Sequence, residues 1–185
     1  MQQEEFEFSR PFPVDKLRGH DMEERIEANE EELEALAKRF GIVALKHLHA
    51  KLHLVRIHSG EMAEVKGRFY ATVVQDCVVT LEPFEAELDE EFTAYFARPD
   101  TIPKSEDMDI DDDHSPEPIS ANGEIDLGEL TAQHVALAID PHPRKPGVVF
   151  EVPRDAKAVE VGAKPLNPFA VLADFRAKKN EKKDK

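Results

Sequence analysis

Apolar and polar positions change period along this chain, and each change marks an element. Residues 4–9 alternate, with Phe6 and Phe8 on one face, which predicts a first strand. Residues 22–28 fit two patterns. Met22, Ile26, Leu33 and Phe40 could share one long helical face, or Met22, Ile26 and Ala28 could lie on one side of a short strand. Asn29 breaks the tie, because Glu32 three residues later completes a capping box. The spacing then predicts a helix over 30–40 with Leu33, Leu36, Ala37 and Phe40 inward, and Gly41 as its left-handed cap.

A period of two takes over afterwards. Leu48, Ala50, Leu52 and Leu54 form one face of a strand, with His47, His49, Lys51 and His53 opposite. Val55 and Ile57 switch parity, which predicts a bulge there, and Gly60 is the turn. Val65, Phe69, Ala71, Val73, Cys77, Val79 and Leu81 share the next apolar face, against Lys66, Arg68, Tyr70 and Thr72. Pro83 bends or interrupts the sheet. Ala86, Leu88, Phe92, Ala94 and Phe96 then alternate with Glu85, Glu87, Asp89, Glu91 and Thr93. Long half-solvated strands of this kind predict an antiparallel meander, open or barrel-like.

Residues 100–118 hold Asp, Pro and Ser with few large apolar groups, which predicts a mobile acidic loop. Asn122-Gly123 is a turn signal. Asp126 caps a second helix with Glu129 at the capping-box position, and Leu127, Leu130, His134, Leu137 and Ala138 form its inner stripe. Pro141, Pro143 and Pro146 end it. Residues 159–165 read as a linker. Asn167 and Pro168 then open a short helix with Phe169, Leu172 and Phe175 on one side, ahead of a lysine-rich tail. The fold class expected is α+β, an antiparallel sheet with two or three short helices. The expected layout is one domain over 1–158, followed by 159–185 as linker, helix and tail.

Composition changes this picture in one respect. The 185 residues are 34% charged with a formal net charge of −15, but the charge is sorted. Residues 82–117 hold fourteen acidic and two basic residues, a net of −12. Residues 45–68 hold five basic and two acidic, a net of +3 with four histidines, and residues 164–185 hold seven basic and three acidic, a net of +4. Such a balance argues against wrapping the whole molecule in nucleic acid, while leaving local phosphate contact open. No DNA and no membrane are expected among its partners, and no feature sets an oligomeric state. Residues 1–10 have neither the basic flank nor the apolar core of a signal peptide, and no apolar run is long enough for a membrane span. A soluble, cytoplasmic protein is expected.

Candidate chemistry is sparse. His47 and His49 could present two imidazoles to one metal, but no third ligand stands at a recognisable spacing. The same residues with Lys51, His53, Arg56, Lys66 and Arg68 read better as a basic face for RNA phosphate or for a partner. Cys77 reads as a small buried hydrophobe, since Asp76 and Glu82 are the reverse of an activating environment. The aspartates at 107–113 lack the glycine and closing glutamate of an EF-hand loop. No phosphate-cradling glycine cluster and no Gly-x-Ser-x-Gly is present. No enzyme, metal or cofactor is expected. The terminal helix carrying Phe169, Leu172 and Phe175 either docks on its own domain or enters a partner's groove.

Three stretches in order carry a resemblance. They are Cys77-Val78-Val79-Thr80-Leu81-Glu82-Pro83-Phe84; Gly123-Glu124-Ile125-Asp126-Leu127-Gly128-Glu129-Leu130, running on to Asp140 and Pro143-Arg144; and Asn167-Pro168-Phe169-Ala170-Val171-Leu172. Together they resemble the YceD-like large ribosomal RNA subunit accumulation protein family. Many relatives carry Cys-x-x-Cys in the first stretch. Here Thr80 holds the second position, so no metal role is carried over. The resemblance implies a non-enzymatic factor that supports levels or processing of large-subunit (23S) ribosomal RNA, through pre-ribosomal RNA or an assembly protein. The alternative is an acidic module that holds a basic ribosomal protein without touching RNA.

Overall fold

The computed structural model describes residues 6–17, 21–58, 61–101 and 116–149. Contacts divide the chain into Met1–Val148 and Val149–Lys185, and every strand and helix described lies in the first unit. The turn at Gly60, most of the acidic loop, the linker at 159–165 and the helix with Phe169, Leu172 and Phe175 lie outside the described residues.

The elements run β1 (Pro11–Pro13), a 3-10 turn (Val14–Leu17), β2 (Met22–Glu27), α1 (Glu30–Phe40), β3 (Ala44–Ile57), β4 (Met62–Asp76), β5 (Pro83–Ala97), β6 (Glu117–Pro118), β7 (Glu124–Asp126) and α2 (Leu127–Ala138). The expected α+β class holds. β2 to β5 form the expected antiparallel meander, in the order β2-β3-β4-β5-β6. The sheet is mixed rather than purely antiparallel, because β6 joins β5 in parallel. It is open rather than barrel-like, and β1 pairs with β7 in a separate two-stranded sheet.

The first strand is displaced from its expected place. Phe8 is fully buried, but residues 6–10 form no ladder, and the strand is Pro11–Pro13. Its partner decides this: β7 lies opposite residues 11–13. The bonds from Leu127 N to Arg10 O and from Val14 N to Gly123 O put Phe12 in the hydrogen-bonded position. Pro11 and Pro13 then occupy the positions whose nitrogens face away from the ladder.

Between β2 and α1 the capping box forms as expected: Glu32 N donates to Asn29 Oδ1 at 3.0 Å and Asn29 N to Glu32 Oε2 at 2.8 Å. Gly41 closes the helix at φ 67°. Residues 22–27 are a strand, so the tie resolves with the helix beginning only after Asn29.

The bulge expected near Val55 is absent, and register is regular through Ile57 opposite Met62. The shift lies instead between Leu45 and His47, where Leu45 and Leu48 are both buried three residues apart and Lys46 is the extra residue. β4 ends at Asp76, so Cys77, Val79 and Leu81 do not continue its apolar face. The turn is closed by Cys77 N to Glu82 O at 2.9 Å and Leu81 N to Cys77 O at 2.8 Å, with Leu81 at φ 58°. Pro83 opens β5 rather than interrupting a strand.

Both helices cover one face of the sheet. Gly67 makes room there: a Cβ at this position would meet the Phe92 ring at 2.2 Å, and that ring stacks on His134 of α2 at 4.0 Å. The inner stripe of α2 is the expected one at Leu127, Leu130, His134 and Ala138 and departs from it at Leu137. Leu127, Leu130, Thr131 and Val135 are buried, whereas Leu137 is 81% exposed. Leu137 is on the same side of the helix as Leu130 but two turns further along, beyond the described elements that bury Leu130. Glu129 N donates to the Asp126 cap, but the Glu129 side chain does not complete a capping box. It takes a two-point bond from Arg39 of α1, at 2.7 Å for each nitrogen.

Candidate nucleic-acid interface

Because residues alternate across a strand, the face of β2–β5 away from the helices collects the polar set, and register decides which of its members meet. His47, His49, Lys51 and His53 of β3 and Lys66 and Arg68 of β4 all point to this face, as expected. Register sets Lys51 opposite Arg68 and His53 opposite Lys66. Arg56 does not join them. It has the parity of Leu54, so it points to the covered side, where Nη2 donates to Val14 O at 3.2 Å and lies 3.7 Å from Asp15. It anchors the 3-10 turn.

The strand pairing adds a residue that the basic stretch of the sequence does not contain. Arg25 of β2 stands directly opposite Lys51, giving the row Arg25–Lys51–Arg68 across three strands. The polar parity of Arg25 is readable once residues 22–27 are taken as a strand, but its register is not. This row, continued on β5 by Glu91 opposite Arg68, forms one wall of a groove of ≈ 410 Å³. The opposite wall is Glu23, His53, Lys66 and Thr93, and the floor is the intervening row Glu24, Leu52, Gly67 and Phe92.

Rings continue the surface toward the other end of the sheet. Arg68 lies over Tyr70 at 5.1 Å, Tyr70 stacks on His49 at 5.0 Å, and His49 meets His47 edge-on at 5.2 Å. The Nδ1 atom of His49 is enclosed with no hydrogen-bond partner among the described residues.

Most of the positive charge on β3 and β4 is spent internally. Arg68 holds Asp89 through two bonds of 2.7 and 2.8 Å, and Asp89 keeps its carboxyl below and Arg68 its guanidinium above their ordinary ranges as a result. Lys66 pairs with Glu64 at 2.9 Å, and Lys46 pairs with Glu85. Counted over the face, β2 offers Glu23, Arg25 and Glu27, β3 Lys46 and Lys51, β4 Glu64, Lys66 and Arg68, and β5 Glu85, Glu87, Asp89 and Glu91. Asp76 at the end of β4 shares the face as well, so five cations against eight carboxylates give a formal net of −3 with the histidines neutral. The face is therefore not the uniformly basic surface that the local count over 45–68 predicts. Among the described residues, Arg25 and Lys51 are its two cations without a carboxylate partner.

The first two sequence motifs meet at one end of the sheet. Val78 N donates to Pro143 O at 2.9 Å, Gln75 Nε2 to Asp140 O at 3.0 Å, and Lys145 Nζ to Glu82 at 3.1 Å. Cys77 is buried there, in a turn rather than on a strand face. The Thr80 hydroxyl first, then the Lys145 N–H and the N–H groups of Thr80 and Val79, lower its thiol to about 6 against the opposing effect of burial. The acids at 76 and 82 do not prevent this, because hydrogen bonds donated to sulfur decide the local field. Among the described residues, no three His, Cys, Asp or Glu side chains gather as metal ligands.

The second motif divides into distinct structural tasks. Gly123 sits at φ 76° in the turn, Ile125 is buried, and Asp126 caps α2. Gly128 lets the chain at Phe8 pass, since a Cβ would lie 2.2 Å from Phe8 O. The family model described as Large ribosomal RNA subunit accumulation protein YceD matches residues 65–176, more than half of the chain. The chain belongs to the YceD family. The match takes in Lys66, Arg68 and all three motifs, while β2, α1 and β3, with Arg25 and Lys51, precede it. The family description places YceD proteins with accumulation of large-subunit ribosomal RNA. No curated protein and no solved structure matches the chain. Among its described residues, no helix is long and apolar enough to cross a membrane.

Proposed function

We propose that this YceD protein supports accumulation of large-subunit ribosomal RNA without chemistry of its own, by holding RNA phosphates at the Arg25–Lys51–Arg68 row. The observation that carries the reading is the row itself. Like charges directly opposite one another destabilise a sheet, and here three stand in line, two of them without a carboxylate partner among the described residues. A bound phosphate would relieve that repulsion. The adjoining groove and the His47–His49–Tyr70 rings provide room and contact surface for a strand of RNA beside it.

The test is binding of a large-subunit precursor RNA fragment by purified protein across a salt series. The double variant R25A/K51A should bind about tenfold more weakly and lower the log–log salt slope by about 2, one for each phosphate no longer neutralised. K46A should bind as the wild type does, since Lys46 is already neutralised by Glu85. In cells depleted of the protein, the double variant should fold and accumulate yet leave large-subunit RNA low. Unchanged affinity and slope in R25A/K51A would overturn the proposal.

A further inference from the structure

β5 has two edges, and among the described residues one of them is occupied along its length. β4 pairs with all of residues 83–97 on one side, while β6 reaches only Phe96 and Ala97 on the other. Among the described residues, nothing hydrogen-bonds the second edge over residues 84–94, a length of roughly 35 Å at the spacing of an antiparallel strand. The bond from Cys77 N to Glu82 O fixes which backbone groups face which way: even-numbered residues of β5 point to β4 and odd-numbered ones point outward. Ile119 N donating to Ala97 O agrees with that phase. The outward N–H and C=O groups over the free stretch therefore belong to Glu85, Glu87, Asp89, Glu91 and Thr93.

Side chains then specify what would pair there. Glu85, Glu87, Asp89 and Glu91 line one face of the edge. Phe84, Ala86 and Leu88, half-buried and the last two packed against the core, line the other, which ends in the exposed Glu90. Lys46 takes Glu85 and Arg68 takes Asp89 and Glu91, so Glu87 is the member of that row without a cationic partner among the described residues. A second copy of β5 would set carboxylates against carboxylates, which a sheet disfavours. A strand whose lysines or arginines alternate with apolar residues would meet acid on one face and Ala86 and Leu88 on the other.

We propose that the free edge of β5 is a strand-addition site for an extended basic segment of another protein, with Lys or Arg at every second position. Main-chain bonds provide affinity and the alternating rows provide selection. The site is separate from the cationic row and does not depend on RNA contact there.

The test uses the full chain and a synthetic peptide of alternating lysine and valine, followed by fluorescence anisotropy. A shuffled peptide of the same composition, with lysines and valines in blocks, should bind about tenfold more weakly, because it loses the match to the two faces. Glu87→Pro removes one outward donor without touching the ladder to β4, and should weaken binding by a similar factor. Amide exchange on the wild-type chain gives a second readout. The amides of residues 85, 87, 89 and 91 should exchange fast in the free protein and slow on adding the alternating peptide. Equal binding of the two peptides would reduce the effect to general charge attraction and overturn the proposal. So would slow exchange in the free protein, which would mean that another part of the chain or a second copy already covers the edge. R25A/K51A should keep peptide binding while losing RNA, so the two sites fail or succeed separately.

Discussion

Thr80 stands three residues after Cys77, where a Cys-x-x-Cys would have its second thiol, and its hydroxyl gives Cys77 a hydrogen bond instead of a thiol partner. The folded Cys77 ionises at about 6, below the ordinary thiol range near 8.5. The sign follows: ionisation favours the folded state, so this contribution to stability is complete above the ordinary range and is lost as pH falls through about 6. Thiolate ultraviolet absorbance, with C77S as the blank, should titrate near 6 in the wild type. In Thr80→Val the midpoint should move up toward the ordinary thiol value. A midpoint that stays put would show that the hydroxyl is not its cause. The sequence marks Cys77 as buried, which it is, but its hydrogen-bond donors come from a turn and from Lys145, 68 residues away. Only the first of those is within reach of a local reading.

At the scale of elements, the local signals are the legible ones. Asn29 with Glu32, Gly41 and the Asp126 cap are readable because each device closes within a few residues. Asp126 does more than its motif implies, accepting from Gly128 N and Glu129 N and also from Ser9 Oγ and Arg10 N. It joins the start of α2 to the incoming N-terminal segment. Asp126→Ala should therefore cost about 2 kcal/mol, the upper end for a lost N-cap, in urea unfolding. A loss near zero would show that neighbouring groups replace the carboxylate. What stays hidden is partner identity over distance. Period alone cannot tell that β7 recruits Pro11–Pro13 rather than residues 4–9. It also cannot show that Leu137 outruns its cover, or that Glu129 answers to Arg39 instead of its own helix terminus.

At the scale of the molecule, sorted charge is visible in the sequence, but its consequence is not. Folding sets Glu85, Asp89 and Glu91 of β5 against Lys46 of β3 and Arg68 of β4, and among the described residues it leaves Arg25 and Lys51 as the cations of that face without a carboxylate partner. The same principle joins the two helices. Arg39 of α1 grips Glu129, which is 8% exposed, and reaches Glu7 at 3.1 Å. Glu129 holds the Arg39 guanidinium above its ordinary range. Arg39→Ala leaves the carboxylate enclosed with Gln133 as its remaining side-chain donor, and should destabilise the fold by about 2–3 kcal/mol. Amide exchange should rise in α2 before it rises in β3 or β4. Equal loosening everywhere would argue that the bond is not a clasp between helices.

The extra residue in β3 bears on how this chain tolerates gain and loss of residues. Removing one amino acid elsewhere in that strand would reverse every side chain beyond it, sending Lys51 inward and Leu52 out. Removing Lys46 would instead return Leu45 and His47 to regular pairing opposite Val73 and Thr72, with both faces preserved. A deletion at that point would leave the ladder whole and would release Glu85 from its cation. Lineages that have lost the residue would thus keep the sheet while presenting a more acidic β5.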